Sequence, residues 1–65
     1  MDIKTIATIN MNDESTGDEI FAIIRTCDDK IILGVSIETN GDYEIAINTA
    51  DCEKLIKHLT EAIKR

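Results

Sequence analysis

The residue best suited to general acid–base chemistry is His58, the only histidine among 65 residues. A catalytic histidine needs a nucleophile or a carboxylate held against its ring. In the helix predicted for the C-terminal segment, His58 lies about 100° from the centre of the apolar stripe, at its edge. Nothing in the sequence directs a partner at it. We therefore expect an ordinary histidine at the boundary of an amphipathic helix.

The two cysteines could act as nucleophiles or form a disulfide. Cys52 falls in the first turn of the predicted helix, where the helix dipole favours a reactive thiolate. It also lies in the apolar stripe, where a free cysteine packs as a small hydrophobe. Cys27 precedes Asp28 and Asp29, whose carboxylates disfavour a thiolate. Geometry alone allows a Cys27–Cys52 disulfide, but the N-terminus lacks the layout of a secretory signal, so we expect free thiols in a reducing cytoplasm.

Metal and phosphate sites are not expected. Cys52 and His58 are six residues apart and face different sides of a helix, so they cannot share a zinc ion. The acidic loop at residues 12–18 superficially suggests calcium, but Ser15 occupies the position where an EF-hand needs glycine. A weak cation site there remains an alternative to a solvated loop. The three glycines are isolated, so no phosphate-binding turn is predicted, and we expect no cofactor.

Length and charge restrict the possible functions. Residues 1–65 make one domain, whose small core needs a supplement such as a partner subunit. The net charge is −6, with ten acids and three bases in residues 1–50 but three acids and four bases in residues 51–65. This balance disfavours non-specific binding to nucleic acid or to anionic membranes. No apolar run is long enough to span a bilayer.

Periodicity predicts an α+β fold, a four-stranded antiparallel β-meander with one C-terminal amphipathic helix packed on one face. Strands are expected at residues 3–11, 19–27 and 30–39, with a fourth after Asn40-Gly41. The helix starts after Asn48-Thr49, either of which can cap it. Its apolar residues, the helix stripe, are Cys52, Leu55, Ile56, Leu59, Ala62 and Ile63. Ion pairs four residues apart are expected on the polar side, namely Glu53–Lys57, Lys57–Glu61 and Glu61–Arg65.

The turn at Asn40-Gly41 has two interpretations. A two-residue type I′ turn would put Ile37 opposite Glu44 and separate the apolar sets of the two strands. A three-residue loop with Gly41 left-handed puts Val35 opposite Ile45, and both sets share one face. Since a slip of one residue exchanges the whole core face, we expect the three-residue loop.

Register assigns two faces to the sheet. A two-residue turn at Asp28-Asp29 places one apolar set on what we call the aliphatic face: Ile20, Ala22, Ile24, Ile31, Leu33, Val35, Ile37, Tyr43, Ile45 and Ile47. The opposite side, the mixed face, then carries Phe21, Ile23, Ile32, Gly34, Ser36 and Ala46, rimmed by Arg25, Glu38, Asp42 and Glu44. An apolar patch with a polar rim is typical of an interaction site. The alternative is a different register in which Phe21 packs in the core.

These observations favour a small, acidic, non-enzymatic protein-binding module. We expect it to self-associate through the helix-free mixed face or an edge strand, or to bind another protein. Its charge suits a basic partner, such as a nucleic-acid-handling protein that it would inhibit. The alternative is nucleic-acid or small-ligand binding through Lys54, Lys57, Lys64 and Arg65 on the helix, with nucleic acid disfavoured by the net charge. An enzyme would need a site assembled across subunits.

Overall fold

The computed structural model describes residues 2–38 and 41–65. Four strands, β1 (Ile3–Asn12), β2 (Glu19–Cys27), β3 (Lys30–Ile37) and β4 (Gly41–Ile47), precede one helix, α1 (Thr49–Lys64). The strands form a single antiparallel sheet in chain order. The predicted α+β meander with a C-terminal helix is confirmed. In the described residues, no helix is long and apolar enough to cross a membrane.

The first strand contains a bulge. The pairing of β1 with β2 shifts between Thr5 and Ala7, which leaves Ile6 as the extra residue. Ile6 is also the residue that interrupts the apolar alternation of this segment in the sequence. Beyond the bulge, Ile9 pairs with Ala22 and Met11 pairs with Ile20, so both belong to the aliphatic face.

The hairpin between β2 and β3 has the predicted register. Ile24 pairs with Leu33 and Thr26 with Ile31, across a two-residue turn at Asp28-Asp29. Asp28 has a φ of 56°, in the left-handed region that aspartate tolerates better than most side chains do. The turn therefore sets which side chains of β2 and β3 share a face.

The predicted pairing of β3 with β4 is wrong by two residues. Val35 lies opposite Tyr43 and Leu33 opposite Ile45, whereas the predicted partner of Val35 was Ile45. A shift of two residues keeps every side chain on its face, so burial cannot distinguish the two registers. The predicted faces are therefore correct although the partners are not.

The turn that sets this register is only partly described. β3 ends at Ile37 rather than at Thr39, because Glu38 already belongs to the turn. Gly41 is left-handed, as predicted, with a φ of 80°. The other two loop residues of the prediction, Thr39 and Asn40, lie outside the described residues.

Asn48 is the only residue between β4 and α1, and it caps the helix. Its side-chain oxygen accepts a hydrogen bond of 2.8 Å from the backbone N–H of Asp51. The predicted ion pairs on the polar side are wrong. Among the described residues, the helix pairs are Lys54–Asp51 at 3.6 Å and His58–Glu61 at 2.7 Å, each three residues apart. Glu61 therefore pairs with His58 instead of Lys57 or Arg65.

The packing within one chain leaves an open structure. Among the described residues, Gly34 alone is buried, and no apolar side chain is. The Cα radius of gyration is 13.1 Å, which is typical of a compact domain of about 100 residues rather than of 65. The chain exposes 5360 Å², whereas a compact monomer of this mass exposes about 4,100 Å². Folding of one copy thus leaves an unusually large surface uncovered.

Candidate interaction surfaces

The register brings the six predicted interface residues together on the mixed face. Together with three residues of the predicted rim, they occupy three rows across the sheet: Phe21, Ser36 and Asp42; Ile23, Gly34 and Glu44; Arg25, Ile32 and Ala46. Phe21 is 38% exposed and Ala46 is exposed, whereas Ile23, Ile32 and Ser36 are half-buried. The alternative in which Phe21 packs in the core does not apply to this chain.

Polar side chains cross the mixed face and bind one another. Arg25 Nη1 donates a hydrogen bond of 3.1 Å to Glu44 Oε2, and Ser36 Oγ donates one of 2.7 Å to Asp42 Oδ1. Glu44, predicted at the rim, thus extends over the centre of the face. The apolar part of this surface is consequently smaller than the sequence suggested.

The side chain of Glu44 passes over Gly34 to reach Arg25. A Cβ atom built on Gly34 would lie 3.5 Å from Glu44 Cγ and 3.7 Å from Ile23 Cβ. The side chain of Glu44 therefore lies directly over the backbone of β3 and reaches Arg25 on β2. Around this point is a shallow cleft of about 330 Å³ whose lining includes Ile23, Arg25, Gly34, Ser36, Asp42 and Glu44.

Among the described residues, the aliphatic face has no comparable polar cover, and it is more exposed toward one end of β4. Ile47, next to the helix junction, is half-buried. Ile45 is 55% exposed and Tyr43 is 77% exposed. Val35, opposite Tyr43, and Ile9 and Met11 beyond the bulge are exposed as well.

The exposure of the helix stripe also rises with distance from the junction, along α1. Cys52 is half-buried, Leu55 is 42% exposed and Ile63 is 84% exposed. Ile56 and Leu59 are exposed between them. Exposure therefore rises with distance from Asn48 along both α1 and β4. The helix contacts chiefly β3 among the strands, so it covers little of the sheet.

The potentially reactive side chains, His58, Cys27 and Cys52, do not converge on one site. His58 Nδ1 lies 2.7 Å from Glu61 Oε1, and both side chains are exposed; within residues 2–38 and 41–65, no hydrogen bond joins His58 to a hydroxyl or thiol. Cys27 and Cys52 are free thiols, each half-buried. Among the described residues, no group of three or more His, Cys, Asp or Glu side chains could hold a metal ion.

The acidic loop is organised by its own hydrogen bonds. Asp13 Oδ1 accepts hydrogen bonds from Ser15 Oγ at 2.6 Å and from the Ser15 backbone N–H at 2.9 Å. These bonds stabilise the charged carboxylate and lower the pKa of Asp13. The Asp13 carbonyl also accepts a bond of 2.7 Å from the N–H of Gly17, which closes the turn.

Comparison with known proteins gives no match to a protein-family model, a curated protein or a solved structure. The exposed aliphatic face and helix stripe are the surfaces that sequence reasoning missed, since it assigned them to a common core. One sequence signal pointed to them. The two sets contain more large apolar residues than one 16-residue helix, about 24 Å long, can bury against a four-stranded sheet.

Proposed function

We propose that this chain is a non-enzymatic protein-binding module that works as a homo-oligomer. The observation that carries the proposal is the lack of a buried apolar side chain among the described residues, together with an exposed area of 5360 Å². A folded chain of this size normally buries its largest apolar residues to offset the loss of conformational entropy. Here Tyr43, Leu59 and Ile63 remain exposed, so a protein surface is the expected cover.

A binding role is supported over a catalytic one by the arrangement of the reactive groups. In the part of the chain that the structure describes, His58 bonds to Glu61 alone, and the two half-buried thiols have no charged partner. A catalytic set requires a nucleophile, a base and a stabilising group that meet at one reacting atom. The exposed apolar area is instead distributed over a sheet face and one helix side, which is typical of macromolecular contact.

The partner surfaces proposed from the sequence remain proposals. The mixed face keeps apolar side chains at Phe21, Ile23 and Ile32, and the edges of β1 and β4 are open to strand addition within the described sheet. The excess of acids in residues 1–50 supports a basic partner, including a nucleic-acid-handling protein inhibited by this module. The two free thiols support a reducing compartment, which we take to be the cytoplasm.

The test is the mass of the native assembly over a concentration series. Sedimentation velocity from low micromolar to millimolar protein should show an oligomer that dissociates on dilution, with a thermal midpoint that rises with concentration. Melting should be followed in parallel by circular dichroism at the same concentrations. A folded monomer of 7.2 kDa at every concentration, with a constant midpoint, would contradict the proposal.

A further inference from the structure

We propose that the missing cover is a second copy of this chain, and that the two copies exchange helix contacts. In a two-fold dimer, the helix stripe of each copy packs on the aliphatic face of the other. The inference rests on the proposed self-association and names the surfaces that mediate it. Because both contacts are the same by symmetry, the interface is closed and limits assembly to two chains.

The first argument is that one chain carries two apolar surfaces and covers neither. The aliphatic face is exposed at Val35, Tyr43 and Ile45, and the helix stripe at Leu59 and Ile63. An amphipathic helix and an apolar sheet face are the two layers of a common architecture. Each surface therefore has the shape and chemistry that the other needs.

The second argument is that the chain's own helix leaves most of the aliphatic face uncovered. Asn48 is the single residue between β4 and α1, and exposure rises from this junction along both elements. The surfaces are thus covered best near Ile47 and Cys52, and least at Tyr43 and Ile63. A partner helix entering from the open end would cover the residues that the junction leaves bare.

The third argument is the area. The exposed surface of 5360 Å² exceeds that of a compact monomer of this mass by about 1,200 Å². A standard stable interface buries about 800 Å² on each partner. The surplus on one chain is therefore sufficient for a stable dimer.

The fourth argument is charge, and it selects among the possible dimers. Residues 1–50 carry a balance of −7, from three bases and ten acids, and residues 51–65 carry +1, from four bases and three acids. The residues of the helix stripe and of the aliphatic face include no acid, so their contact brings no carboxylates together. A dimer formed through two mixed faces would instead bring Asp42 and Glu44 of both copies together, which electrostatic repulsion disfavours.

A complementation experiment tests the exchange directly. Leu59→Asp damages the stripe and Ile45→Asp damages the aliphatic face. Each variant alone should raise the dimer dissociation constant at least about thirtyfold, the effect of losing one central contact. When the two variants are refolded together, one of the two contacts in the mixed dimer is free of both substitutions. A dimer should therefore reappear at concentrations where each variant alone is monomeric.

The matched control carries the same substitutions on one chain. A Leu59→Asp/Ile45→Asp double variant refolded with the native chain contains the same two substitutions per dimer, but both of its contacts are damaged. It should recover far less heterodimer than the mixed single variants, as measured by native mass spectrometry with one chain isotope-labelled. If the aspartate variants fail to refold even when mixed, Leu59→Ala and Ile45→Ala provide the same comparison with smaller effects.

Two further variants test whether other surfaces of the chain form the dimer interface. Ala50→Asp adds the same charge on the exposed helix side away from the stripe, and Ala46→Asp adds it on the mixed face, one residue from Ile45. The helix exchange predicts that both dimerise like the native chain, whereas self-association through the mixed face predicts that Ala46→Asp does not. A native dimer with no difference between the mixed singles and the double variant, or one disrupted by Ala46→Asp, would overturn the exchange while leaving self-association intact. A strict native monomer would overturn both proposals.

Discussion

The two faces of the sheet differ in the contacts that their exposed side chains make. On the mixed face, Arg25 and Glu44 bind each other across β3, and Ser36 binds Asp42 across the β3–β4 pair. On the aliphatic face, side chains such as Tyr43 and Ile45 extend into solvent instead. One face is thus completed by its own chain through polar contacts. The other is apolar and exposed, and it is the surface that the proposed second copy would cover.

The largest expected effect comes from truncating neighbouring isoleucines of β2 that point to opposite faces. Both Ile23 and Ile24 are half-buried in one chain, so their exposure alone does not separate them. In the proposed dimer Ile24 becomes buried, so Ile24→Ala should cost about 3 kcal/mol, within the range for truncation of core isoleucine. Ile23→Ala should cost about half as much. Urea denaturation at a protein concentration above the dimer dissociation constant measures the free energy of unfolding of both variants. Equal losses of stability would show that the two faces are equally covered.

The helix cap should have the next largest effect, and it acts only on the aliphatic side. Asn48→Ala removes the 2.8 Å bond to the N–H of Asp51 and should destabilise the protein by about 1 kcal/mol. Because the helix supplies half of the proposed interface, dimerisation should weaken as well. Asn48→Asp, which retains a capping oxygen, should restore both properties. Full stability and native dimerisation of Asn48→Ala would show that helix order is unimportant to the aliphatic face.

A smaller effect is expected from the ion pair on the mixed face. The Arg25 and Glu44 side chains are 36% and 53% exposed, so solvent screening reduces their coupling to below about 1 kcal/mol. A double-mutant cycle with Arg25→Met and Glu44→Gln measures this coupling, which should fall further in 0.5 M salt. The dimer should persist in all three variants. Loss of the dimer would make the mixed face part of the interface.

The smallest effect is expected in the acidic loop, which belongs to neither face. Hydrogen bonds from Ser15 lower the pKa of Asp13 in the folded chain. A lowered folded pKa stabilises the fold above the unfolded pKa, near 3.8, and this contribution is lost as the pH falls below it through the folded value. Asp13→Asn should therefore flatten the stability profile in this acid range without changing dimerisation at neutral pH. A profile identical to that of the native chain would show that the Ser15 bonds do not persist in solution.

The sequence predicts which face each strand residue occupies, but it does not predict the strand partners or the ion pairs. The faces of β2, β3 and β4 depend on residue parity, which the apolar alternation determines through burial. A shift of two residues changes the partners in the β3–β4 pair but leaves every side chain on its face, so the apolar alternation does not reveal it. The apolar pattern therefore leaves these partners undetermined. Ion pairs on α1 likewise depend on side-chain rotamers rather than on spacing alone.

The helix illustrates the other limit of sequence reasoning. Its bounds, and a cap at Asn48 or Thr49, follow from local signals in the sequence, and the structure shows that Asn48 is the cap. How closely it lies on the sheet depends on the geometry of a one-residue junction, which no local signal specifies. The missed surfaces, around Tyr43 and Ile63, are a direct result. The number of large apolar side chains was the available clue.

The chain-order arrangement of the strands has a consequence for folding kinetics. Every strand pairs with its neighbour in sequence, so the mean sequence separation of contacts is small and the sheet should form rapidly. That step involves one molecule, and its rate does not depend on protein concentration. Helix exchange involves two molecules, and its rate rises with concentration. Refolding should therefore show a fast phase of constant rate followed by a slower, concentration-dependent phase.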